Sequence, residues 1–268
     1  MEDRRGLSHL CAARSVNGID NWQIDSKPTF MANPERYPDE LWGLEDPRIT
    51  YISELGQYAI VHTAYASGGP GVALALTKDF ISFERYGVIM QPEDKDAALL
   101  PHRIDGRWAL IHRPVGATSA NIWISYSADL HHWGGHKKIL EARLGGWWDA
   151  NKIGLCTPLI ETSDGWLMIY HGVKQNASGS IYRLGLALFD LNEPERCLKR
   201  GDEWVFGPEE PYEQFGDVDK VVFPCGYTLA SDGDTLRIYY GAADTSIATA
   251  TGSVKLMLQW LKEQGKND

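Results

Sequence analysis

The sequence predicts an all-β fold, a five-bladed β-propeller with a short C-terminal helix, and three observations carry that prediction. Apolar and aromatic runs of strand length recur between Gly, Asp and Ser turns, few stretches show helical periodicity, and two weak motifs alternate at blade spacing. The strand-like runs are QYAIVHTAY, GVALALT, RWALIHRP, NIWISYS, GWLMIYHGV, YRLGLALFD and TLRIYYGAA. One motif is a turn followed by a strand with an aromatic near its start: ELGQYAIVH, IDGRWALIH, TSDGWLMIY and SDGDTLRIYY. The other is a polar turn ending in an aromatic, SVNGIDNW, TKDFISF and SADLHHW, with LFDLNEP as a degenerate copy. Copies of the first lie about 50 to 70 residues apart, the length of a four-stranded blade with variable loops. The visible repeats and a partial one at the entry allow four or five blades, with five preferred, in one domain over residues 1–268, the first blade incomplete at the N-terminus. The tail GSVKLMLQWLKEQGK is the clearest helix, with Val254, Leu256, Leu258, Trp260 and Leu261 as its apolar stripe.

Composition narrows the function classes. A formal net charge of -10 argues against nucleic acid as a partner, because phosphate backbones select basic surfaces. The start MEDRRGLSHL lacks the apolar core of a signal peptide, and no run of about 18 apolar residues occurs, so a cytoplasmic protein without membrane association is expected. Cys11, Cys156, Cys197 and Cys225 are far apart and without CxxC spacing. They read as buried thiols, with neither a metal site nor a disulfide framework.

The chemistry-bearing residues fall at turns and strand ends. GLEDPRIT gathers Glu45, Asp46 and Arg48 around Pro47, whose ring pushes Asp46 toward an extended conformation and so fixes the direction of the acid. A local Asp46–Arg48 pair that merely holds a charged turn explains the same residues. Basic groups sit where apolar strands end: Lys95 in EDKDAALLP, His112 and Arg113 in IHRP, Lys152 after Asn151 in NKIG, and His171 after Tyr170 in YHG. Each alone is an ordinary rim charge or a satisfied histidine. Together they suit an anion, since clustered cations are costly unless an anion neutralises them. Trp42, Trp147 and Trp148 lie in loops, where they either pack or present flat faces to sugar rings.

Taken in order, GLEDPRIT, KDAALLP, HRP, NKIG, TPLIETSDGWLMIYHGV, YRLGLALFDLNEP, VVFPCGYTL and YYGAADT resemble glycoside hydrolase family 130, the mannoside phosphorylases and related mannosidases. The resemblance spans nearly the whole chain and implies a five-bladed propeller. It implies inverting phosphorolysis of a β-mannoside oligosaccharide, with inorganic phosphate as co-substrate, no cofactor and no metal, releasing α-mannose 1-phosphate. Asp46 matches the general acid, thought to deliver its proton through the mannose 3-hydroxyl. Lys95, Arg113, Lys152 and His171 match phosphate-binding positions, Lys95 where the family more often carries arginine. Asp244 in GAADT matches a mannose-binding position, and Glu45, Arg48, Asn151 and Tyr170 complete the expected substrate-binding set.

The chemistry is coherent. An inverting hydrolase needs a second carboxylate to activate water, whereas phosphate is already an anionic nucleophile, so a cationic cradle can take that place. Three alternatives remain at this level: a β-mannosidase of the same family, which would lack the phosphate-binding basic residues; a non-catalytic glycan-binding propeller; and an arabinanase-type glycosidase, which needs further carboxylates. Linkage and acceptor are open, and the C-terminal helix is a candidate homo-oligomer interface.

Overall fold

The computed structural model describes residues 6–116, 119–177 and 179–267. Strands dominate: β1 (Ala13–Arg14), β2 (Gln23–Ile24), β3 (Gly43–Ile52), β4 (Gln57–Ala66), β5 (Gly69–Thr77), β6 (Glu84–Met90), β7 (Asp94–Leu99), β8 (Trp108–Pro114) and β9 (Ile122–Ser127). They continue with β10 (Trp133–Leu140), β11 (Lys152–Leu155), β12 (Ile160–Thr162), β13 (Gly165–Asn176), β14 (Gly179–Phe189), β15 (Cys197–Arg200), β16 (Val222–Leu229), β17 (Thr235–Ala242) and β18 (Ser246–Ser253). A four-residue helix α1 (Pro211–Gln214) precedes β16, and α2 (Val254–Gln264) follows β18.

These strands form a succession of blade-like sheets, ordered β3-β4-β5-β6, β7-β8-β9-β10, β11-β13-β14-β15 with β12 beside β13, and β16-β17-β18. The fold is all-β and propeller-like in that succession, but the expected five blades are corrected to four among the described residues. The reason is local. The four copies of the turn-and-strand motif open β4, β8, β13 and β17, one per sheet, whereas the partial copy at the entry forms only the exposed two-residue pair of β1 with β2.

The polar-turn motif has one physical basis in all its copies. A side-chain hydroxyl, carboxylate or amide oxygen caps backbone N–H groups two and three residues on, as Asx and ST turns do. Thr77 Oγ1 accepts from Phe80 N and Asp79 Oδ1 from Ser82 N; Ser127 Oγ and Asp129 Oδ1 repeat this for Leu130 and His132. Asp190 Oδ1 caps Asn192 and Glu193, and Asn17 Oδ1 caps Ile19 and Asp20. These backbone donors hold the Asp79, Asp129 and Asp190 carboxyls below the usual carboxylate range.

By internal packing the chain comprises two compact units, one of the residues to Leu110 with Tyr126–Gly134, the other of Ile111–Ser125 with the residues from Gly135. The first packs Val61, Leu74, Leu76, Leu99, Trp108 and Leu110 into its core. The second packs Leu167, Leu186, Val222, Tyr240, Leu258 and Leu261. Helix α2 is capped by Ser253, whose Oγ accepts from Leu256 N at 3.1 Å, and it buries Val254, Leu258 and Leu261. Leu256, expected in the buried stripe, is instead exposed. Of the thiols, all free, only Cys156 is fully buried; Cys11, Cys197 and Cys225 are half-buried, which corrects the expectation for those three. Among the described residues no helix is long and apolar enough to cross a membrane.

Candidate active site

In the first unit, Asp46 stands on a β-bulge. Strand β3 pairs Glu45 with Thr63 and Arg48 with Val61, so Asp46 and Pro47 oppose the single residue His62 on β4. Asp46 has a φ of 52°, in the left-handed region, and this corrects the extended conformation expected from the proline after it. The carbonyl is what holds it there: Arg48 Nη1 donates to Asp46 O at 2.9 Å. Arg48 is itself almost fully buried and faces Asp96 Oδ1 at 3.5 Å across an ion pair whose two side chains are 1% and 0% exposed. Asp96 also has a positive φ, 53°, and adjoins Lys95. Lys95 Nζ lies 3.6 Å from Asp46 Oδ2, both side chains half-buried. A single buried pair therefore anchors the strand that carries the acid and the strand that carries the lysine.

Glu45 is half-buried at the edge of the bulge. Arg48 turns its guanidinium to the Asp46 carbonyl and to the Asp96 carboxylate. Asp96→Asn keeps the shape and removes the charge; it is expected to lower stability by about 2 kcal/mol, measured by urea unfolding. An unchanged midpoint would show that the pair contributes nothing to holding the bulge.

The remaining sequence-predicted cations belong to the second unit. Arg113 is buried in β8, and its neighbour His112 bonds through Nε2 to Ser125 Oγ at 2.7 Å, which in turn meets His136 Nδ1 at 2.6 Å. Lys152 opens β11 rather than ending a strand, and His171 lies in the middle of β13, opposite Gly154 on β11. Both meet Tyr182: the Lys152 ammonium is 5.1 Å from its ring centroid and the His171 ring 5.8 Å from it. The His171 ring also contacts Phe223 at 5.0 Å. Asn151 Oδ1 accepts from Gln175 N at 2.8 Å, tying the residue before Lys152 to the end of β13.

The loop ahead of Lys152 is fixed by a network the sequence did not reveal. Asp149 is fully buried and its Oδ2 accepts from Arg200 Nη2 at 2.9 Å and Tyr170 Oη at 3.1 Å, with Arg143 Nη1 at 3.7 Å. Trp148 lies over Tyr170, ring centroids 5.7 Å apart, and its indole N–H donates to Asp202 O at 2.8 Å. This close approach needs glycine beneath it. A Cβ on Gly172 would come within 2.3 Å of Asp149 Cβ, and one on Gly185 within 2.6 Å of the Trp148 ring.

Tyr170 is thus fully buried, and burial pushes its phenol well above the ordinary value. Its hydroxyl donates to Asp149 Oδ2 and accepts from Arg200 Nε. Trp148, one of the three loop indoles expected either to pack or to face sugar, is buried; Trp42 and Trp147 are 45% and 41% exposed. Asp244 is exposed in the turn between β17 and β18, with a φ of 55°.

Sequence reasoning missed Asp96, Asp149 and Arg200. Asp96 was legible as the third acid of EDKDAALLP, directly after Lys95. For Arg200, a strand residue in CLKR, no local signal exists, because its partners lie 30 and 51 residues away.

The first unit thus presents a bulge-mounted carboxylate paired with a lysine, and the second holds the buried Arg113 and His171. The model of glycoside hydrolase family 130, described as beta-1,4-mannooligosaccharide phosphorylase, matches residues 6–263, and the chain belongs to this family. It is 37% identical over 252 residues to a 1,2-beta-oligomannan phosphorylase of Thermoanaerobacter sp. (strain X514), covering 93% of this chain and 80% of that protein. To a beta-1,4-mannooligosaccharide phosphorylase of Ruminococcus albus it is 30% identical over 268 residues, covering 98% and 78%. The solved structure of a beta-1,2-mannobiose phosphorylase from Listeria innocua, in complex with beta-1,2-mannobiose, is similar with a TM-score of 0.87 at 36% identity, over 96% of this chain and 70% of that one.

Proposed function

We propose that the chain catalyses inverting phosphorolysis of β-mannosides, transferring mannose to inorganic phosphate and releasing α-mannose 1-phosphate. The observation that carries the reading is the Asp46–Lys95 pair on the anchored bulge, in a chain of this family. Asp46 is the general acid: its proton reaches the glycosidic oxygen, through the mannose 3-hydroxyl, as the bond from that oxygen to the anomeric carbon breaks. Phosphate attacks the anomeric carbon from the opposite face, so one inversion converts a β-mannoside to an α-phosphate.

Lys95, Arg113, Lys152 and His171 form the phosphate-binding set. Lys152 holds its ammonium 5.1 Å from the Tyr182 ring centroid. Lys95 also pairs with Asp46. Arg113 and His171 are buried, where a charge-assisted bond to phosphate is worth more than in water. Asp244, Glu45 and Asn151 contact mannose, while Arg48 and Tyr170 act by holding their neighbours. No cofactor or metal enters this scheme.

The β-1,2 linkage is the first to test, since the relatives named for it share 37% and 36% identity against 30% for the one named for β-1,4. With β-1,2-mannobiose, consumption is expected only in the presence of phosphate, with mannose 1-phosphate as product by 31P NMR. Lys152→Ala is expected to raise the KM for phosphate by about tenfold or more, with a smaller change in the KM for sugar. Release of free mannose without phosphate would refute phosphorolysis.

A further inference from the structure

We propose that the second unit carries a separate carbohydrate-binding platform, built from Trp147, Trp148, Trp204 and Glu203, that takes a pyranose residue of a β-mannoside chain. These four side chains and Gly146 line an open cavity of about 380 Å3. That lies at the lower end of the roughly 300–1,000 Å3 of small-molecule sites, which combine aromatic walls with a few polar groups. The lining here is three indoles and one carboxylate.

Pyranose chemistry matches that set. A sugar ring has an apolar face of C–H bonds, which stacks on the electron-rich face of an aromatic ring, and an equatorial rim of hydroxyls, which donate to carboxylate oxygens. Glu203 is exposed at the cavity, so its oxygens are accessible to such hydroxyls. A nucleobase would stack equally well, but its phosphates meet no favourable field in a protein of net charge -10.

The indoles are also held in place. Trp148 is fixed by its bond to Asp202 O and its stack on Tyr170. The Arg143 guanidinium stands 4.4 Å from the Trp147 ring centroid, and Arg183 stands 5.0 Å from that of Trp204. Arg183 and Trp204 together line a second cavity of about 170 Å3, and Trp204 lines the first as well. Rings braced before the ligand arrives lose little freedom on binding, which is what a stacking platform requires. Trp147 nevertheless keeps 41% of its surface in water, an exposure that a bound sugar would relieve.

The identity of the sugar rests on the reading under Proposed function; the platform itself does not. The test titrates β-1,2-mannotetraose into phosphate-free enzyme by calorimetry, for the native chain, Trp204→Ala, Trp147→Ala and the conservative Trp204→Phe. Each alanine variant is expected to weaken the tetraose Kd by about tenfold, the loss of one stacked ring, with Trp204→Phe within about threefold of native. For variants assayed with β-1,2-mannobiose and phosphate, kcat and the KM for phosphate should stay unchanged, which separates the platform from the catalytic site and reports intact folding. Native tetraose affinity in both alanine variants, or no tetraose binding by the native chain, overturns the platform. If the tetraose binds and the alanine variants weaken it while no β-mannoside is ever phosphorolysed, the platform stands and the phosphorolysis reading falls.

Discussion

Asp46→Asn is expected to lower kcat for β-mannoside phosphorolysis by about 10²–10⁴-fold, the contribution of a positioned general acid, while sugar binding stays within a few-fold of native. The structure makes this substitution a clean one. The bulge is held through the Asp46 carbonyl, which Arg48 reaches at 2.9 Å, and not through the carboxyl, so an asparagine of the same shape keeps its place. The lost ion pair to Lys95 is half-exposed, and pairs of that kind contribute at most about 1 kcal/mol. Stopped assays with saturating phosphate, beside calorimetric titration of β-1,2-mannobiose, measure the two quantities separately. A variant turning over within about threefold of native would remove Asp46 from the role of acid.

The largest stability effect is expected at Asp149. Asp149→Ala removes the carboxylate that Arg200, Arg143 and Tyr170 share and leaves cationic groups buried without it. Breaking a buried pair in this way costs about 3–5 kcal/mol, because the surviving charge keeps its desolvation penalty and loses its compensation. Among the described residues Asp149 Oδ1 has no hydrogen-bond partner, so the native carboxylate is already only half satisfied and the net cost belongs at the lower end of that range. Urea unfolding of the full chain is the measurement, and a midpoint shift equivalent to less than about 1 kcal/mol would contradict the network's role. Because Asp149 lies three residues before Lys152, the same variant is also expected to raise the KM for phosphate under conditions where it is folded.

Much of the fold was legible because its signals are local. Each turn-and-strand repeat marks one sheet, and each polar turn supplies its own caps, so both can be read in a window of ten residues. The blade count was misjudged where the signal was thinnest: SVNGIDNW has the turn chemistry of its counterparts, but the strands that flank it are two residues long. The acid at Asp46 and the lysine at Lys95 were legible from motifs, and the structure brings them together. What the sequence concealed are long-range partners. Asp96 and Arg48 are separated by 48 residues, Asp149 and Arg200 by 51, and neither pairing follows from spacing along the chain. The conformation of Asp46 was misread for a different reason. The proline rule considers only the adjacent ring, while the carbonyl there also accepts from the guanidinium of Arg48, two residues on in the same strand.

The Arg48–Asp96 pair has a consequence for how such an enzyme can change over evolutionary time. A chain that gave up the lysine to become a different catalyst would have to alter a strand whose next residue is the counter-ion that steadies the acid. A chain that altered the arginine would disturb acid and lysine at once. Drift at Arg48 or Asp96 is therefore constrained by both strands, whereas the Lys95 position can vary among cations.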